Sequence, residues 1–183
     1  MIFSAPFLRL GSALFALALL AGCAGLLPKV QKNNANFASF NEAKNAVNSL
    51  VPMKSNLQSL AQLGIDPASH ANINILTYSA IYQKLTINTS TIPVDVDPGV
   101  SLCLQAQDKC TGYELNESNT LAAREGNFFA DLFNFYRHTH STGWNFNAII
   151  LVLDGTVVYR SWGGQSNINE IEIKTNPLGP LQP

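Results

Sequence analysis

The sequence predicts an α+β domain in which two or three short helices pack on one face of an antiparallel β-meander. Three observations carry that prediction. Apolar residues recur at helical spacing between Phe40 and Leu85, the period changes to two beyond Thr86, and Asp154-Gly155 separates two β-rich runs. The domain is expected over residues 37–175, as a helical part 37–85, an insertion 86–125 and a meander 126–175, with a tail at 176–183.

Ser39-Phe40-Asn41-Glu42 reads as a capping box, the serine oxygen serving a free amide while Glu42 reaches back. Phe40, Ala43, Val47 and Leu50 follow on one helical stripe, and Pro52 ends the segment. A second box at Ser55-Asn56-Leu57-Gln58 opens a helix with Leu57, Leu60 and Ala61 on one side, and Gly64 is placed to cap its end. Tyr78, Ile81, Tyr82 and Leu85 predict a third short helix over 77–85.

Strands follow. Phe128 to His138 alternates, with Phe129, Phe133 and Phe135 on one side and Asp131 and Arg137 among them. Trp144, Phe146, Ala148, Ile150 and Val152 form one face of the next strand, and Ile149, Leu151 and Leu153 make the other face apolar too. A strand apolar on both faces belongs at the centre of its sheet. Asp154-Gly155 is a strong hairpin signal because the favoured two-residue turn needs positive φ at both positions. Thr156 to Trp162 returns, and Ile168, Ile171 and Ile173 suit a final edge strand.

Ahead of the domain, residues 1–22 carry one charge, Arg9, then the apolar run Leu10 to Leu20 and the small pair Ala21-Gly22. That is the charged, hydrophobic, small-residue order of a secretory signal. The run is about half of the roughly 20 apolar residues that a membrane span needs. Leu20-Ala21-Gly22-Cys23 resembles the lipobox of bacterial lipoprotein precursors. The resemblance implies diacylation of Cys23, cleavage before it and acylation of the new amine. A single acyl chain binds a bilayer marginally and two or more anchor stably. Ala24 is not the aspartate associated with inner-membrane retention, so the resemblance implies the periplasmic face of the outer membrane. An ordinary signal peptide cleaved near Ala21 is the alternative. Residues 23–36, Asn-rich and aperiodic, suit a lipidated N-terminus and flexible tether.

The whole chain carries a net charge of −1, from 11 basic and 12 acidic residues, and has no basic run interleaved with aromatics. Nucleic acid is not an expected partner. With Cys23 assigned to lipid, Cys103 and Cys110 remain as an even pair, and an oxidising periplasm makes a structural disulfide the expectation. Their short intervening loop suits a hairpin tip. A catalytic thiol or a metal pair is the alternative, but the spacing is longer than the tight Cys-x-x-Cys unit.

Catalytic machinery is sparse. The chain has no Gly-x-Ser-x-Gly elbow, no His-Glu-x-x-His and no phosphate loop. His138 and His140 alternate onto one strand side and could share a ligand with a carboxylate, though two ligands alone do not make a metal site. Glu170 and Glu172 share a strand side as well, and a solvated edge that discourages sheet-to-sheet pairing is the simpler account. Asn88-Thr89-Ser90 and Asn116-Glu117-Ser118 match the glycosylation pattern, a use that a bacterial lipobox argues against. Tyr136, Trp144, Tyr159 and Trp162 lie near strand ends, and aromatics of this kind are enriched at interface hot spots. Core burial is the competing role for each.

The order of elements resembles a family. A lipobox, a spacer, two short helices in which Val51-Pro52-Met53-Lys54-Ser55 leads to Leu63-Gly64-Ile65-Asp66-Pro67, and a meander whose Asp-Gly hairpin runs into Val157-Val158-Tyr159 are similar to the small BamE/OmlA-type outer-membrane lipoproteins. Pro52 stands where that family has a glycine, Ile65-Asp66 inserts one residue before Pro67, and the stretch from Thr86 to Glu125 has no counterpart in the shortest members. The resemblance implies a two-layer fold and an accessory role in envelope assembly, and it names no functional residue. The expectation is a noncatalytic scaffold without cofactor or metal, bound to membrane lipid through Cys23 and to an envelope protein. A periplasmic ligand-binding module or enzyme using His138, His140 and a carboxylate is the alternative.

Overall fold

A computed structural model describes residues 26–68, 70–86 and 96–181. The expected signal segment at 1–22, Cys23 and the sequon at Asn88 lie outside the described residues. Among the described residues the chain is mixed α+β, with five helices and one antiparallel sheet of five strands. In chain order these are β1 (Lys29–Asn33), α1 (Phe40–Ser49), α2 (Leu57–Gln62), β2 (Ile73–Leu76), α3 (Tyr78–Thr86), α4 (Pro98–Ala106), β3 (Cys110–Glu125), α5 (Phe128–Leu132), β4 (Tyr136–Leu153) and β5 (Thr156–Thr175). The sheet order is β1-β3-β4-β5, and β2 also pairs with β3 from Ile73↔Leu115 to Leu76↔Gly112. No helix among the described residues is long and apolar enough to cross a membrane.

The chain forms two compact units. One holds residues 26–31, Leu121–Thr142 and 169–181, and the other holds Lys32–Thr120 and Gly143–Ile168.

The second unit contains nearly all of the buried apolar side chains. Phe146, Ala148, Ile150 and Val152 of β4 pack with Phe40, Ala43 and Val47 of α1 and Leu60 of α2. Leu151, between them, packs instead with Ile81 of α3, Val100 and Cys103 of α4, and Val158 of β5. Successive strand residues point to opposite sides, so helices cover both faces of β4. The expectation of two or three helices on one face is therefore corrected. Both faces of β4 are apolar, and water left on either would cost about 25 cal/mol for each Å² of apolar surface exposed. β4 is central in the sheet, as its two-sided hydrophobicity predicted.

Local signals explain most element ends. Ser39 Oγ accepts from Glu42 N at 3.2 Å, while Glu42 Oε2 accepts from Ala38 N, one residue earlier than a regular box. The second box is shifted by one residue from expectation: Asn56 Oδ1 accepts from Ser59 N and Ser59 Oγ from Asn56 N. Asn56 also bridges to Thr156, which draws α2 to the start of β5. Asp154 (φ 48°) and Gly155 (φ 78°) make the β4–β5 turn with both residues left-handed, as the dipeptide requires. Gly143 has φ 139°, and a Cβ there would collide with the Asn119 carbonyl, so β4 passes β3 at a point that admits only glycine.

Four further expectations are revised. Lys29–Asn33, placed in the tether, form β1. Residues 110–125, placed in an insertion, form β3, which pairs with β1, β2 and β4. The strand expected from Phe128 is the one-turn helix α5, capped by Asn127 Oδ1 accepting from Ala130 N, and Asn134 at φ 58° turns the chain into β4. Ile168, Ile171 and Ile173 continue β5 rather than forming a separate strand.

Cys103 and Cys110 form a disulfide with Cα atoms 5.2 Å apart. The bridge ties the end of α4 to the start of β3 across a 3₁₀ turn, Gln107–Lys109, where a hairpin tip was expected. Both cysteines are buried in the second apolar cluster. The Cys103→Ser/Cys110→Ser variant should lose about 2 to 3 kcal/mol of stability from the freed loop, read as a lower urea midpoint.

Candidate interaction surface

Of the four aromatic candidates, Trp162 is the one built as an exposed, fixed anchor in the second unit. The residue is 38% exposed. Beneath, it stacks on Phe146 with centroids 6.2 Å apart and an interplanar angle of 18°, and it meets Phe40 edge-on at 6.0 Å. Its Nε1 donates to Asn48 Oδ1 at 3.1 Å, and Arg160 Nη1 donates to the same oxygen at 2.7 Å. The Lys44 ammonium lies 4.8 Å from the ring centroid. Phe40, Lys44 and Asn48 recur at i and i+4 along α1, so one stripe of that helix packs, covers and hydrogen-bonds the indole. A cleft of about 360 Å³ adjoins, lined by Trp162, Gly163 and Asn147 together with the ion pair Lys84–Glu114 at 2.7 Å.

The other three aromatics divide. Trp144 is half-buried against the first apolar cluster and Tyr159 against the second, so both serve the core. Tyr136 is exposed in the first unit.

The first unit brings His138 and His140 to one carboxylate. Their Nδ1 atoms stand 3.7 and 3.6 Å from the two oxygens of Glu125, and His140 Nε2 donates to Asn169 Oδ1 at 2.7 Å. These distances exceed hydrogen-bond length for the carboxylate. Glu170 and Glu172 are exposed on β5. Among the described residues no three His, Cys, Asp or Glu side chains are grouped to hold a metal ion. Asp131 is buried, its Oδ1 accepting from Arg124 Nη1 at 2.9 Å, and Arg137 Nε lies 3.9 Å from its Oδ2.

Sequence reasoning passed over Glu117, which is only 2% exposed in the second unit. Its Oε2 accepts from Asn36 N at 2.5 Å and Phe37 N at 3.4 Å, and its Oε1 accepts from the Asn72 amide. Asn72 Nδ2 also donates to the Asn34 carbonyl, so a buried charge gathers the loop after β1 and the turn before β2. The Asn-rich stretch at 33–36 was the available signal. Its composition suits a spacer equally well, because the partners of an asparagine are set by the fold.

No protein-family model, no curated protein and no solved structure is similar to this chain.

Burial raises the Glu117 carboxyl above its ordinary 4.5, outweighing the backbone bonds from Asn36 and Phe37, the Asn72 amide and the charge of His70, all of which pull it down. A folded value above the unfolded one means that this group favours the fold fully below pH 4.5, and that the contribution is lost as pH rises through the folded value. Urea unfolding of Glu117→Gln beside wild type, from about pH 4 to 8, should show the wild type losing stability relative to the variant as pH increases.

Proposed function

We propose that the protein is a noncatalytic accessory of an envelope assembly, secretion or export complex, anchored through acylated Cys23 at the periplasmic face of the outer membrane. The observation that supports it best is Trp162. A large exposed ring held by stacking, a hydrogen bond and an overlying ammonium loses little conformational entropy on binding, which is the property of an interface hot spot. The lipobox residues and the order of elements supply the compartment, and the resemblance to BamE/OmlA-type lipoproteins supplies the class of process.

A second reading, a ligand-binding module or enzyme, draws on the convergence of His138, His140 and Glu125. Among the described residues these side chains are not grouped to hold a metal ion, so the scaffold is preferred.

Affinity purification of the full lipidated protein from crosslinked outer membranes, read by mass spectrometry, should recover one defined envelope complex. Cys23→Ser should abolish recovery. Trp162→Ala should reduce it about tenfold or more, the scale of a hot-spot truncation, while His138→Ala/His140→Ala leaves it intact. Recovery of abundant membrane proteins alone, or loss of recovery in the histidine variant at normal protein levels, would move the assignment to the second reading.

A further inference from the structure

The first unit is poor in buried apolar side chains and rich in exposed ones. Leu27 is its single buried large apolar side chain among the described residues, whereas Leu26 is 62% exposed, Leu132 58% and Leu178 64%, with Phe129, Phe133 and Phe135 each about half exposed. Scattered exposed apolar residues are ordinary, but a contiguous set marks a binding surface.

These residues are contiguous. Leu26 and Leu132 line one cleft of about 210 Å³ together with Arg124 and Arg137. Phe129 and Leu132 belong to α5, and Phe133 follows directly. The Phe135 carbonyl accepts from Asn176 N at 2.9 Å, and Gly179 lies so close that a Cβ would come within 2.7 Å of the Phe135 ring, which brings Leu178 beside the same aromatics.

The two clefts at this surface are lined by more basic than acidic side chains. Arg124 and Arg137 share the single carboxylate of Asp131, and the neighbouring cleft that both arginines also line adds Lys174 and Glu172, which cancel. Guanidinium forks suit phosphate oxygens.

We infer that this apolar and arginine-bearing surface of the first unit seats on a phospholipid bilayer, its leucines and phenylalanines entering the interfacial layer and Arg124 and Arg137 meeting headgroup phosphates. The inference rests on the reading of Cys23 as the lipid anchor. Cys23 precedes Leu26 by three residues, so an extended chain allows at most about 11 Å between them. Acyl chains at Cys23 would hold Leu26 within that distance of the headgroups, and Leu26 is part of the surface. A soluble partner would have to cover the same residues in the space the membrane already occupies.

The test uses the full chain reconstituted in vesicles of phosphatidylethanolamine and phosphatidylglycerol, with and without bromine on the acyl chains. Mass spectrometry of the same preparation reports acylation of Cys23 separately. The fluorescence that Leu132→Trp adds to that of Trp144 and Trp162 should fall at least twofold in brominated vesicles, and Phe133→Trp should behave alike. Added emission unchanged by bromine, while the acylated chain sediments with the vesicles, would overturn the inference and mark the surface for a protein partner. Quenching at both positions with Cys23 unacylated would uphold the surface and sink the anchor.

Discussion

The second unit depends on one constraint: β4 is apolar on both faces over its last turns of pleat. Ile150 and Leu151 are both fully buried, and being adjacent they point in opposite directions. A strand of this kind is stable only when both faces are covered. Here α1 and α2 supply one cover and α3 and α4 the other. The disulfide then joins the end of α4 to β3, so the second cover is held covalently to the sheet it protects.

The cover on the first face also creates the exposed aromatic. Phe40 and Phe146 are core residues whose rings continue outward into Trp162, so the indole projects from a packed stack instead of a loop. Its position is set by residues whose main role is burial. This coupling explains how a surface group can be held rigid without a dedicated scaffold, and it ties the position of the ring to the integrity of α1.

Among the described residues each unit buries one carboxylate, with opposite solutions to the cost. Asp131 takes a guanidinium directly, the pairing that makes a buried charge tolerable. Glu117 takes backbone and amide donors only, and burial wins against them, which is why its carboxyl titrates high. The first unit, with little apolar core, relies on this polar tie and leaves its leucines and phenylalanines facing outward.

Local sequence was sufficient wherever the physics is local. The Asp154-Gly155 turn, the Ser39 cap, the α3 stripe and the central place of β4 all follow from torsional preference, capping or periodicity within a few residues. The even cysteine pair was legible from compartment logic. Tertiary structure alone decided what depends on distant partners. Lys29–Asn33 and Cys110–Glu125 carry weak local patterns and became strands because they pair with one another and, for β3, with β2 and β4. Glu125 meets His138 and His140, and Arg124 meets Asp131, only through the fold. Glu117 became a buried hub because two asparagine-bearing segments, separate along the chain, converge on it. Hydrogen-bond partners separated by 80 residues leave no mark on a sequence window, whereas turns and helix stripes are written in it directly.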